Sequence, residues 1–341
     1  MQNKAIYMSL APTDLEIYRT FRYDGGGFEI SLKDLAVEDV TLLAQVYNLL
    51  KSVYDLWLYM GDQPNYNLMR ERLKAFAEPE FLTKVQTIGS ATYSHGINDE
   101  RMHNAIHDIR GGALTSLTGY ARLLPRLPDN ENYIRQAVYL ARDHAKMLRN
   151  ILPDLDTPVR EADEGTKLHA MDEFIHKWDG FTFELPGKSV TVNASSTYTG
   201  YITSRCLETS AMDRILYNYI NNAARFASDS QIKLTVIPVG RELTRWIVEN
   251  NITDDQVAWL RQEVDDLKEL FHGGHTRGGT GRGLLNCANF VSTSFGINSD
   301  EAIDQEYLGA KVFENTYYAW FHWPIYVRQS ADEPECDCGE H

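Results

Sequence analysis

Two stretches of this sequence place apolar residues at alternating spacings of three and four, and no other feature restricts the fold more. In the first, Ile106, Ile109, Ala113, Leu117, Tyr120 and Leu124 are 3, 4, 4, 3 and 4 residues apart. In the second, Ile134, Val138, Ala141, Ala145, Leu148 and Leu152 are 4, 3, 4, 3 and 4 apart. A stripe of that period is the seam of a helical bundle. Between the stripes lies LPRLPDNEN, whose two prolines and Asp-Asn pair stop one helix and start the next. A lone hairpin has too little apolar area to stand by itself. The sequence therefore predicts that two copies pair as a homodimer, giving a four-helix bundle with two-fold symmetry.

The hairpin, taken as residues 99–158, divides the chain. Residues 159–328 alternate strand and helix patterns: GFTFEL, SVTVNA, QIKLTVIPVG, ELTRWIVEN and NTYYAWFHWPIYV read as strands, with helices over 205–227 and from Gly283 to Phe295. That order predicts an α/β sandwich of the α+β kind, a mostly antiparallel sheet covered by helices on one face. Residues 1–98 open with a short, partly extended stretch and continue as helices at about 33–60 and 66–87, rich in Tyr and Leu and without a chemical motif. They read as a packing or dimerisation domain. Residues 329–341 form an acidic tail expected to be disordered. Its Cys336, Cys338 and His341 are about three ligands where a closed structural metal site needs about four.

Composition narrows the functional class. With 43% apolar and 24% charged residues, the chain is of ordinary globular make-up. A net charge of −15 repels a phosphate backbone and argues against nucleic acid as a partner. The N-terminus lacks a signal-peptide core, and no run reaches the roughly 18 apolar residues that span a bilayer. A cytoplasmic protein without membrane attachment is expected. Cys206 and Cys287 sit in apolar stretches and read as small buried side chains.

Three motifs carry chemistry. In His107-Asp108-Ile109-Arg110-Gly111-Gly112, His107 stands one step off the seam and is expected at the solvent-facing flank of the bundle. An imidazole nitrogen there can attack a phosphoryl group, while Asp108 holds the other nitrogen's proton. Two consecutive glycines inside a helix cost about 1 kcal/mol each relative to Ala. They leave the turn after His107 open to another protein's active site. In Asn218-Tyr219-Ile220-Asn221-Asn222-Ala223-Ala224-Arg225, positions 218, 222 and 225 share one helical face. Two amide oxygens and a guanidinium there suit a hydrated Mg²⁺ and a phosphate chain. In the stretch from Phe271 to Leu284, Gly279, Thr280, Gly281 and Gly283 precede a helix, an arrangement that offers backbone N–H groups to an anion. Each motif alone has a plainer reading, as an exposed surface pair, a polar helix face or a flexible turn.

Their order and spacing together resemble the sensor histidine kinases of two-component systems, over roughly residues 99–327. Residues 107–114 resemble the family's phospho-acceptor H box, 214–226 its N box, and 270–284 its F and G2 boxes. The resemblance implies a dimerisation and phosphotransfer hairpin followed by a GHKL-type ATP-binding domain. It implies that Asn222 is the Mg²⁺ ligand and Asn218 its support. Three positions depart from the family pattern. Gly112 replaces the H-box proline, and His107-Asp108-Ile109-Arg110-Gly111 also resembles the histidine-containing phosphotransfer motif. Trp246 to Ile252 offers Asn250 where the G1 box has an adenine-binding Asp, and it has no glycines. Gly111 stands where bifunctional members carry Thr or Asn.

These observations predict a histidine kinase that phosphorylates His107 from ATP and Mg²⁺ and passes the phosphoryl group to an aspartate on a response-regulator receiver domain. The alternative is a phosphotransferase with a degenerate ATPase domain that relays phosphoryl groups between receiver domains. A third reading is a non-catalytic scaffold that uses the bundle to bind a partner.

Overall fold

The computed structural model describes residues 2–18, 23, 29–60, 65–96, 99–124, 131–165, 167–185, 187–278 and 280–326. The acidic tail, with Cys336 and Cys338, and the site residue Gly279 lie outside the described residues. Helices come first: α1 Gln2–Ser9, α2 Val37–Met60, α3 Tyr66–Lys74, α4 Pro79–Thr87, α5 Ser90–Ser94, α6 Glu100–Arg110, α7 Gly112–Leu123, α8 Glu131–Ile151 and α9 Thr157–Asp163. An α/β sandwich follows: β1 His169–Ala170, α10 Met171–Trp178, β2 Thr182–Leu185, β3 Lys188–Ser196, β4 Tyr201–Thr203, α11 Cys206–Phe226, β5 Gln231–Val239, β6 Leu243–Asn251, α12 Asp254–Glu263, α13 Gly283–Phe295, α14 Ser299–Asp304, β7 Leu308–Phe313 and β8 Thr316–Pro324. Helical N-terminal part and sandwich both match the sequence reading.

All twelve seam residues are buried. Their cover comes from the same chain: α7 packs on α8, and α2 and α3 pack against the hairpin. The homodimer expectation rested on a hairpin with nothing to cover it, and α2 and α3 supply that cover. The first helix was expected to run unbroken through the glycines. Instead it stops at Arg110 and restarts at Gly112, whose φ of +57° is left-handed backbone that glycine adopts without a Cβ penalty. Asp99 starts α6 by accepting a hydrogen bond from the Met102 amide at 2.7 Å.

The main sheet has the order β2-β3-β5-β6-β8-β7. Only the β3–β5 pair is parallel; the others are antiparallel. One face carries a hydrophobic layer: Trp246 of β6 stacks on Phe321 of β8 with ring centroids 5.7 Å apart, and Phe174 of α10 meets Trp246 edge-on. The other face was expected to be open, yet the N-terminus covers it. Arg245 of β6 is fully buried there and donates to the carbonyls of Tyr7, Met8, Ala11 and Pro12. Its Nε lies 2.9 Å from His322 Nε2, and Tyr7 donates to Glu249 at 2.8 Å. A guanidinium with five donors can in this way tie down the unsatisfied carbonyls at the end of α1 and those of the segment that follows it. Residues 7–18 are therefore held on the sandwich, the Tyr18 amide donating to the Phe295 carbonyl of α13 at 2.9 Å. Among the described residues no helix is long and apolar enough to cross a membrane.

Candidate functional site

A cavity of about 420 Å³ lies where α6 and α7 meet the sandwich. Its wall includes His107, Asn218, Asn222, Arg225, Asn250, Thr280, Gly281 and Gly283, so four stretches of the sequence, spread from residue 107 to residue 283, converge on one space. The size is within the usual range for a small-molecule site. Of the sequence-predicted site residues, Asp108 stands behind this wall and not in it.

His107 sits near the end of α6. Its Nδ1 lies 2.9 Å from Asp108 Oδ1. A carboxylate at that nitrogen fixes the tautomer with the proton on Nδ1 and leaves the Nε2 lone pair as the nucleophile. Asp108 is itself anchored: its Oδ2 accepts from Arg214 Nε of α11 at 2.8 Å, and its Oδ1 accepts from Asn286 Nδ2 of α13 at 2.8 Å. Burial by itself would push this carboxyl up, but the Arg214 guanidinium and the His107 contact hold it well below the usual carboxylate range. The His107 side chain is 17% exposed. It faces the cavity, where solvent on a bundle flank was expected.

The opposite wall is the N-terminal end of α13. Gly281 has φ +71°, and the Gly274 amide donates to its carbonyl at 3.3 Å, which folds the loop back on itself. A Cβ on Gly283 would lie 2.8 Å from the Asn218 carboxamide oxygen, so any larger residue here would displace the Asn218 side chain. Asn218 also donates to the Arg214 carbonyl at 3.0 Å. The Arg225 guanidinium donates to the carbonyls of Arg277 and Gly278, and so holds the loop instead of presenting its charge to a ligand. Asn222 has no hydrogen-bond partner among the described residues and is left facing the cavity.

At the far end, Asn250 of β6 is 3% exposed and its Oδ1 has no partner. A buried acceptor left unpaired costs roughly 1–3 kcal/mol. That cost is repaid by a ligand with an N–H at this position. Ile252, Leu260, Leu270 and Tyr317 surround it with apolar surface suited to a planar ring.

Four residues that hold the site together escaped the sequence reading: Arg214, Asn286, Asn104 and Arg282. Arg282 Nη1 donates to Asn104 Oδ1 at 2.8 Å and ties the glycine loop to α6 one turn before His107. The signals existed. Arg214 is four residues before Asn218, Asn286 three after Gly283, and Asn104 three before His107, each on the face of its helix that carries a site residue. Among the described residues no group of three or more His, Cys, Asp or Glu side chains is placed to hold a metal ion.

No protein-family model matches the chain, and no curated protein matches it in sequence. Among solved structures, the mycobacterial sensor histidine kinase MprB is similar at 11% identity and TM-score 0.32, over 47% of this chain and 97% of that one. The histidine kinase domain of the Erythrobacter litoralis EL346 blue-light activated kinase is similar at 11% identity and TM-score 0.30, over 83% and 94%. Full-length ShkA in complex with AMPPNP is similar at 15% identity and TM-score 0.31, over 73% and 46%.

Proposed function

We propose that this chain is an ATP-dependent histidine kinase that phosphorylates its own His107 and passes the phosphoryl group to a receiver-domain aspartate. One observation carries the reading: a tautomer-fixed imidazole shares a cavity with an unpaired buried acceptor and a glycine-rich helix N-terminus, all from one chain.

The residues fit ATP as substrate. Asn250 Oδ1 would accept from the adenine amino group, Tyr317 and Leu260 would flank the ring, and the amides around Gly281 and Gly283 would face the phosphates. Asn222, with its free carboxamide oxygen, would hold Mg²⁺, whose charge would offset that of the phosphates.

In the transfer step the Nε2 lone pair attacks the γ-phosphorus in line. A P–N bond forms, the bond to the β–γ bridging oxygen breaks, and its electron pair leaves with ADP. The Nδ1 proton stays with the ring, held toward Asp108, while Arg214 and Asn286 keep that carboxylate in place. The step needs no second copy of the chain. The phosphoryl group then moves from nitrogen to a receiver carboxylate oxygen, and the imidazole returns to its starting form.

The relay phosphotransferase remains the second reading, favoured by one feature: Asn250 offers an uncharged acceptor where the family has a carboxylate, which weakens the adenine contact. Incubation with γ-labelled ATP and Mg²⁺ separates the two. The kinase reading expects acid-labile label on the wild type and none on His107→Ala. Absence of label on the wild type, together with uptake from a phosphorylated receiver domain, establishes the relay instead.

A further inference from the structure

A second cavity, of about 400 Å³, lies away from the first, walled by α2, α8, α9, α10 and α11. Its wall is unusually cationic for a chain of net charge −15. Most of that charge is already matched. Lys51 pairs with Asp156, Arg142 with Asp143, and Arg149 with Asp163. Lys177 pairs with Asp143 and Asp213, and His169 with Glu173.

Lys146 is the exception. It projects from α8 into the cavity, is 9% exposed, and among the described residues has no hydrogen-bond or ion-pair partner. Asp143, one turn earlier, and Asp213 are near enough for Lys146 to feel their charge, but Lys177, Arg142 and the Tyr217 hydroxyl occupy their oxygens, so three cations share two carboxylates. A desolvated ammonium without an ion-pair partner of its own is costly, and an anion in the cavity lowers that cost. Lys167, also unpaired, stands exposed on the cavity wall. The one unpaired acid on the wall, Asp55, is exposed, so water screens it better than it screens Lys146. Burial and the charge of Lys146 together hold His169 below its ordinary value.

We propose that this cavity binds a small organic anion, with one carboxylate or phosphate group on Lys146 Nζ and its carbon skeleton against Phe174, Ala145 and Val159. Two unpaired cations opposed by one screened acid suit a ligand of one or two negative charges. The walls come from the helical layer and from the sandwich, so the ligand binds only while the two are docked, and its binding stabilises that docking. The site needs neither ATP nor His107, so its test stands apart from the kinase reading.

The test is thermal unfolding of the full chain with sodium succinate, sodium phosphate, or sodium chloride at matched ionic strength. Succinate or phosphate should raise Tm above the chloride value by about 2 °C or more, as ligand binding to the folded state requires. Lys146→Met keeps the side-chain stem and removes only the ammonium. It should abolish the excess and leave the anion-free Tm unchanged or higher, whereas a merely structural lysine would lower it. Lys146→Gln, run in parallel, serves if the first variant does not fold. Two results overturn the proposal: no excess over chloride for either anion, or an excess that survives in both variants, which would place the anion elsewhere, such as at the glycine loop.

Discussion

Arg214 Nε lies 2.8 Å from Asp108 Oδ2, so the helix that bears Asn218 and Asn222 also holds the carboxylate that orients His107. The pair is buried, at 8% and 4% exposure. Removing one member of a buried pair leaves the other uncompensated and typically costs about 3–5 kcal/mol. Arg214→Met should lower the urea unfolding free energy by that order. Adding Asp108→Asn should restore part of it, since the stranded charge is gone. A single variant as stable as wild type would mean that the pair is not formed in solution.

Asn250 permits a gain-of-function test. Asn250→Asp supplies a charged acceptor to an adenine amino group, and charge-assisted hydrogen bonds are roughly twice as strong as neutral ones. ATP affinity should rise about tenfold by calorimetry, with Asn250→Leu falling by about as much. Inosine triphosphate has a carbonyl in place of that amino group and should gain nothing. Equal gains for both nucleotides would show that the adenine edge is not read here.

Buried imidazoles set the response to mild acid. Burial pushes His144 and His322 down to about 3, the field of Arg245 adding to the effect at His322. Both rings are fully buried. In the unfolded chain each titrates near 6.5, so below that pH the unfolded state binds the extra protons. Stability from these rings is fully present above about pH 6.5 and falls as pH drops toward 3, by about 1.4 kcal/mol per unit for each ring. Unfolding free energies measured between about pH 7 and pH 5 should show this slope, with His144→Leu reducing it by one ring's share. Asp108 acts in a lower window. Its depressed carboxyl contributes stability above about pH 4 that is lost on further acidification.

Much of the fold was legible because its cause is local. Every seam position is buried, as a three-four stripe requires, and the three motifs converge because each sits on a helix or loop whose pattern is written in a short window. What covers a stripe is not local. Nothing in the hairpin distinguishes a second copy from α2 and α3, and nothing in residues 2–18 announces that Arg245 will bind their carbonyls. Strand β7 escaped for another reason. Gly309 looks like a strand breaker, yet it sits where a Cβ would come within 2.5 Å of Trp320, so the glycine makes room for the indole on the neighbouring strand.

The glycines after His107 give a prediction whose sign decides between two pictures of the helix. In an unbroken helix across 99–124, Gly112→Ala would stabilise the protein by about 1 kcal/mol, the helix-propensity gain. In the structure α6 ends at Arg110, and Gly112 opens α7 with φ +57°. An alanine there has free space around its Cβ but pays the left-handed backbone penalty of about 1–2 kcal/mol. Urea unfolding of Gly112→Ala should therefore show a loss of about that size. The break also sets the direction in which the last turn of α6 presents His107 to the cavity, so labelling of His107 from ATP should fall in the same variant. A stabilised variant would instead mean that the helix runs through, and that His107 meets the nucleotide from a different angle.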